Sequence, residues 1–107
     1  MTHNPSDVLQ VEHDLVTHRF RAHLSSGTAV LAYTPAGPGL LELYSTHVPA
    51  SERARGVGGR LVEAAVAYAR GQGMRIIPTC SYVAQWLREH PEHSDLVAAS
   101  NRPADSG

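Results

Sequence analysis

Ser51-Glu52-Arg53-Ala54-Arg55-Gly56-Val57-Gly58-Gly59-Arg60 separates two stretches of chain with different hydrophobic periods. Upstream, from His18 to Leu24, Phe20, Ala22 and Leu24 alternate with Arg19, Arg21 and His23, the period of two of a half-buried strand. Ser25-Ser26-Gly27 turns the chain, and Thr28 to Tyr33 reads as a second strand. Thr34 to Gly39 is a longer Pro/Gly turn, and Leu40 to Val48 is a third strand. These three predict an antiparallel meander. Downstream, Gly58 to Gln72 places Leu61, Val62, Ala65, Tyr68 and Ala69 on one stripe and Arg60, Glu63 and Arg70 on the other side, as in an amphipathic helix closed by Gly71 and Gly73. Arg75 to Pro78 is a short strand of the buried type. Because it follows a helix, it is predicted to return parallel to the third strand through a strand-helix-strand crossover. Ser81 to His90 is a second helix, ended by Pro91. The predicted fold class is α/β, with a small mixed sheet.

The 107 residues make one domain, 1–107, with loose ends expected at 1–7 and 99–107. Apolar residues at 42% and charged residues at 18% are the proportions of a globular domain. All nine basic residues are Arg, which removes the Walker lysine, Schiff-base chemistry and the pyridoxal anchor. A net charge of −1 argues against a nucleic-acid partner. The single cysteine, Cys80, rules out an intrachain disulfide and a Cys-rich zinc module. No basic leader or apolar span suggests secretion or a membrane partner, so a cytoplasmic location is expected.

The dividing stretch is also where chemistry is expected. Glycines let a ligand approach the backbone, and the helix that follows offers unpaired N–H groups and a partial positive charge. With three arginines in ten residues, the stretch describes an anion cradle suited to phosphate or pyrophosphate. The same composition also suits a glycine-rich turn with solvated arginines. Walker A fails for want of Lys, and the dinucleotide fingerprint fails because Leu61 stands at its third glycine. Cys80 follows the short strand and precedes the second helix, where a helix dipole favours thiolate, although an unpaired cysteine also serves as a small buried hydrophobe.

Arg53-x-x-Gly56-x-Gly58 resembles the acetyl-CoA pyrophosphate loop, Gln/Arg-x-x-Gly-x-Gly/Ala, of the GCN5-related N-acetyltransferases. The wider pattern Thr46-x-Val48-Pro49, Arg55-Gly56-x-Gly58, Ile77-Pro78-x-Cys80-x-Tyr82-Val83 and His90-Pro91-Glu92 resembles a minimal branch of that superfamily, over roughly residues 18 to 97. The resemblance implies an acetyl-CoA-dependent N-acetyltransferase acting on a small-molecule or protein amine. Its cofactor-binding residues would be Val48, Arg53, Arg55, Gly56, Val57, Gly58, Gly59 and Arg60, and its catalytic residues Cys80, Tyr82 and His47. In the superfamily the strands flanking the loop and its helix splay apart and admit the pantetheine arm. Here those would be Leu40 to Val48 and Arg75 to Pro78, with Cys80 beside the thioester as nucleophile or neighbour and Tyr82 protonating the leaving thiolate. The branch carries a histidine where this chain has Ser45; His47, two residues on and on the same strand face, is the expected substitute. A coenzyme A or acyl-CoA binding module without turnover is the alternative function. The acceptor and the oligomeric state have no signal in the sequence. His13, His18 and His23 recur every five residues and fit neither a strand face nor a helix side, and Pro91 interrupts the helix between His90 and His93, so surface histidines and no metal are expected.

Overall fold

The computed structural model describes residues 10–98, so the expected loose ends at 1–7 and 99–107 lie outside the described residues. Five strands form one sheet in sequence order: β1 (Val11–Asp14), β2 (Arg19–Leu24), β3 (Gly27–Pro35), β4 (Leu40–His47) and β5 (Arg75–Pro78). The first four pair antiparallel, and β4 pairs parallel with β5 through helix α1 (Val57–Gln72). Helix α2 (Ser81–Glu89) follows, then a 3-10 turn Pro91–Leu96 whose next residue, Val97, makes an isolated parallel bridge to Ile76. The meander and the crossover stand as expected from the hydrophobic periods.

β1 is the strand the alternation did not announce. It has only four residues and is set by its turn, in which Asp14 Oδ1 accepts the N–H groups of Val16 and Thr17 while Leu15 and Val16 stand exposed. A second addition is a 3-10 turn, Ala50–Arg55, that fills most of the expected loop between β4 and α1.

One core lies between the sheet and the helices. Phe20, Leu31, Tyr33, Leu41 and Leu43 from the strands meet Leu61, Val62, Ala65, Val66 and Ala69 of α1 and Val83, Trp86 and Leu87 of α2. The helix stops at Gly73, in the left-handed region at φ 68°, whose N–H reaches back to the Arg70 carbonyl. Among the described residues no helix is long and apolar enough to cross a membrane.

The histidines correct one expectation. His13 is not a surface residue: its ring stacks on Phe20 at 4.1 Å, meets Tyr68 edge-on at 4.4 Å, and bonds the Tyr33 hydroxyl at 2.6 Å. The unannounced β1 strand carries it inward. His90 and His93 are brought together despite Pro91, because both stack on the Trp86 indole, at 3.7 and 5.9 Å.

Candidate functional site

The β4–β5 ladder ends at the pair Leu43–Pro78. Beyond it the Cys80 N–H donates to the Leu43 carbonyl at 2.9 Å and the chain turns away into α2, while β4 runs on beside β3 to His47. The two neighbouring strands therefore part, and a cleft of about 280 Å³ opens there, lined by Thr46, His47, Val48, Arg53, Gly58 and Tyr82.

A slip in the β3–β4 ladder decides which side chains enter it. Ala32 faces Ser45 but Tyr33 faces Leu43, leaving Tyr44 as an extra, exposed residue. Across a ladder, opposed residues share a face. Thr46 therefore sits with Leu31 on the core side, and Ser45 and His47 sit with Ala32 and Val30 on the other. Ser45 and His47 do share a face, as strand geometry predicted. The residue delivered to Cys80 is Thr46, whose Oγ1 lies 3.5 Å from Sγ.

Cys80 is the N-cap residue of α2 and is half-buried. Burial pushes its thiol up, but hydrogen bonds from the Thr46 hydroxyl and from the main chain of Val83, Tyr82 and Thr46 outweigh it, and the net result lies below the ordinary cysteine range. Tyr82 moves the other way: burial, helped by the Glu89 charge, raises its phenol. On the far face of the sheet, Thr79 donates its hydroxyl to Glu42 Oε2 at 2.5 Å.

The stretch read as an anion cradle turns into α1 at Gly56. Gly56 takes φ 76°, a left-handed turn that glycine accepts without strain, and it caps α1 with no side-chain hydrogen bond. The Arg60 N–H makes the bond to Gly56 O at 3.2 Å that closes the opening turn of α1. Val57, Gly58 and Gly59 thus present N–H groups ahead of the intrahelical ladder. The arginines divide. Arg53 lines the cleft, and its Nε donates to the Val48 carbonyl at 3.1 Å. Arg60 pairs with Glu63 at 3.3 Å along the exposed side of α1. The side chain of Arg55 lies outside the described residues.

The two glycines that follow have a use the sequence did not disclose. A Cβ on Gly58 would lie 2.8 Å from the Tyr82 hydroxyl, and one on Gly59 would lie 3.1 Å from Trp86 Nε1. Their bareness lets the aromatic residues of α2 pack directly on the opening turn of α1. Tyr82 rests on that helix at Gly58. Thr46 was visible in the Thr46-x-Val48-Pro49 pattern but carried no role there, because only the ladder slip turns it toward Cys80. A larger groove of about 470 Å³ runs between α2 and the last 3-10 turn and is lined by none of the expected catalytic or cofactor-binding residues.

The family model described as GCN5-related N-acetyl-transferase matches residues 19–96. Protein NATD1 of Xenopus tropicalis is 31% identical over 90 residues, covering 82% of this chain and 83% of that protein. Protein NATD1 of Danio rerio is 32% identical over 93 residues, covering 83% and 84%. In fold, the chain is similar to a GCN5-like protein from Staphylococcus aureus solved by NMR, with a TM-score of 0.70 and 20% identity over 92% of this chain and 97% of that one.

Proposed function

The chain belongs to the GCN5-related N-acetyltransferase family, and from that premise we propose that it is an acetyl-CoA-dependent enzyme that acetylates an amine at the parting of β4 and β5. One observation carries the reading: the cleft opened where the β4–β5 ladder stops is lined by Gly58 of the opening turn of α1 and by Thr46, whose hydroxyl lies 3.5 Å from Cys80.

The residues fit the coenzyme. The N–H groups of Val57, Gly58 and Gly59 and the positive end of α1 would hold the diphosphate, with Arg53 in reach from the cleft wall. Val48 gives the cleft an apolar side for the pantetheine arm. Bound acetyl-CoA would supply a thioester whose carbon–sulfur bond is exchanged for a carbon–nitrogen bond, one proton passing from nitrogen to the departing sulfur. His47, which reaches the cleft from the face opposite Thr46, would take the amine's proton. Tyr82 would return one, since its raised phenol stays protonated at neutral pH. Cys80 would sit against the acyl group as nucleophile or neighbour, and intact mass after incubation with acetyl-CoA separates these roles by an acetyl mass present or absent on the single cysteine.

Titration with coenzyme A, followed by amide NMR, tests the reading. The signals of Gly56 to Arg60 should move more than those of β1 and β2. Unmoved signals at saturating ligand would overturn it. Release of free thiol from acetyl-CoA in the presence of amines then distinguishes turnover from binding alone.

A further inference from the structure

Thr46 and Cys80 meet because of two unrelated local events. The extra residue Tyr44 rotates β4 by one position, so Thr46 enters the gap that Ser45 would otherwise face. On the other wall, β5 ends at Pro78 and α2 begins after Cys80, whose N–H is pinned to Leu43 of β4. The result is a hydroxyl in the wall of the cleft, 3.5 Å from a half-buried sulfur that stands behind it at the start of a helix.

We propose that Thr46 is the positioning residue for Cys80: its hydroxyl donates to Sγ, fixes the side chain toward the cleft and favours the thiolate over the thiol. A hydroxyl that donates stabilises the charged sulfur and gains little from the neutral one. The lowered thiol follows from hydrogen bonds, with burial opposing them, and not from a neighbouring charge. The titratable and charged groups around the cleft are His47 from β4, Arg53 from the 3-10 turn and Tyr82 from α2; Val57 to Gly59 of α1 contribute none. Arg53 is held by the Val48 carbonyl, and the Glu42 carboxylate is engaged by Thr79 on the far face of the sheet. The main-chain groups of Tyr82 and Val83 act on the sulfur whatever stands at position 46, so Thr46 is the side chain whose removal isolates the effect.

The inference rests on the acyl-transfer reading for its purpose, but its test does not need the coenzyme. Alkylation by iodoacetamide forms a carbon–sulfur bond and expels iodide, and only the thiolate reacts at a useful rate. Because Cys80 is the sole cysteine, intact mass reports its modification directly. Rates are measured against pH for wild type, Thr46→Val, Thr46→Ala and Thr46→Ser, with a melting temperature for each. The wild-type midpoint should lie below that of a free cysteine. Both hydroxyl-free variants should shift the midpoint upward and react about tenfold more slowly at neutral pH, the loss expected for one hydrogen bond to a charged group. Thr46→Ser should retain the wild-type profile. An unchanged profile in a folded hydroxyl-free variant, or a serine variant that behaves like valine, overturns the proposal. A shifted profile in a protein that ignores coenzyme A would leave the positioning role standing and remove the acyl-transfer reading alone.

Discussion

The two ends of α1 face opposite kinds of surroundings. Toward its C-terminal end, Tyr68 closes on His13, Phe20 and Tyr33, four rings interlocked at centroid distances of 4.1 to 6.4 Å, and the one polar contact among them, His13 to Tyr33, is satisfied internally. At the N-terminal end, rings again approach the helix, but Gly58 and Gly59 let Tyr82 and Trp86 come close from one side only, and Tyr82 remains 43% exposed against 3% for Tyr33. Its polar groups are the amides ahead of the helical ladder and a sulfur beside a hydroxyl. The closed end contributes stability, and the open end keeps donors for a ligand.

Substitution at the closed end should therefore unfold the protein without altering the cleft. Phe20→Ala removes a ring that is 2% exposed and is expected to cost about 3–5 kcal/mol, read as a lower urea midpoint. Coenzyme affinity of the remaining folded fraction should be unchanged; a parallel loss would show that the two ends are not independent. Gly58→Ala inverts the pattern. The new Cβ forces the Tyr82 ring aside, yet that ring is half out in solvent and alanine gains up to about 1 kcal/mol in helix propensity, so stability should change by less than about 1 kcal/mol. Coenzyme affinity should fall about tenfold, or about 1.4 kcal/mol. In a Tyr82→Ala background the same substitution should be nearly silent in affinity, because the group it displaces is gone. Equal losses in both backgrounds would mean that the Cβ meets the ligand itself.

The legible part of the molecule was the part governed by local period. Alternation in Arg19–Leu24 and the stripe from Leu61 to Ala69 set strand and helix directly, and the crossover followed from their order. A glycine-rich turn before α1 was legible from composition, and Gly56 stands there in the left-handed region at φ 76°. β1 was not, since four residues are too few to show a period and an Asp14 side chain, not a hydrophobic pattern, shapes its turn. Thr46 was hidden for a different reason. Period-two reading assigns Ser45 and His47 to the core side, and a single unpaired Tyr44 reverses that for every later residue of β4. The dual use of Gly58 and Gly59 depends on α2 returning to α1, a contact that no spacing within the loop encodes.

The smallest expected effect falls on His13 and is a matter of pH. Burial against Phe20 and Tyr68 lowers its pKa from 6.5, Asp14 opposes the shift, and His18 adds to it. The folded protein then binds this proton less readily than the unfolded chain does. The contribution of His13 to stability is complete above pH 6.5 and is lost as pH falls from there through the lowered folded value. Protonation leaves Nε2 able only to donate to the Tyr33 hydroxyl, so the closed end must hold a charge at its one internal polar contact. Urea midpoints should drop from pH 7 to pH 5.5 in the wild type and drop less in His13→Gln, which keeps a polar group but does not titrate. Asp14 and Asp95, whose carboxyls are held low by Arg21 and Arg70, titrate below this window. Equal slopes in the two proteins would place the acid sensitivity elsewhere and show that the ring cluster tolerates an imidazolium.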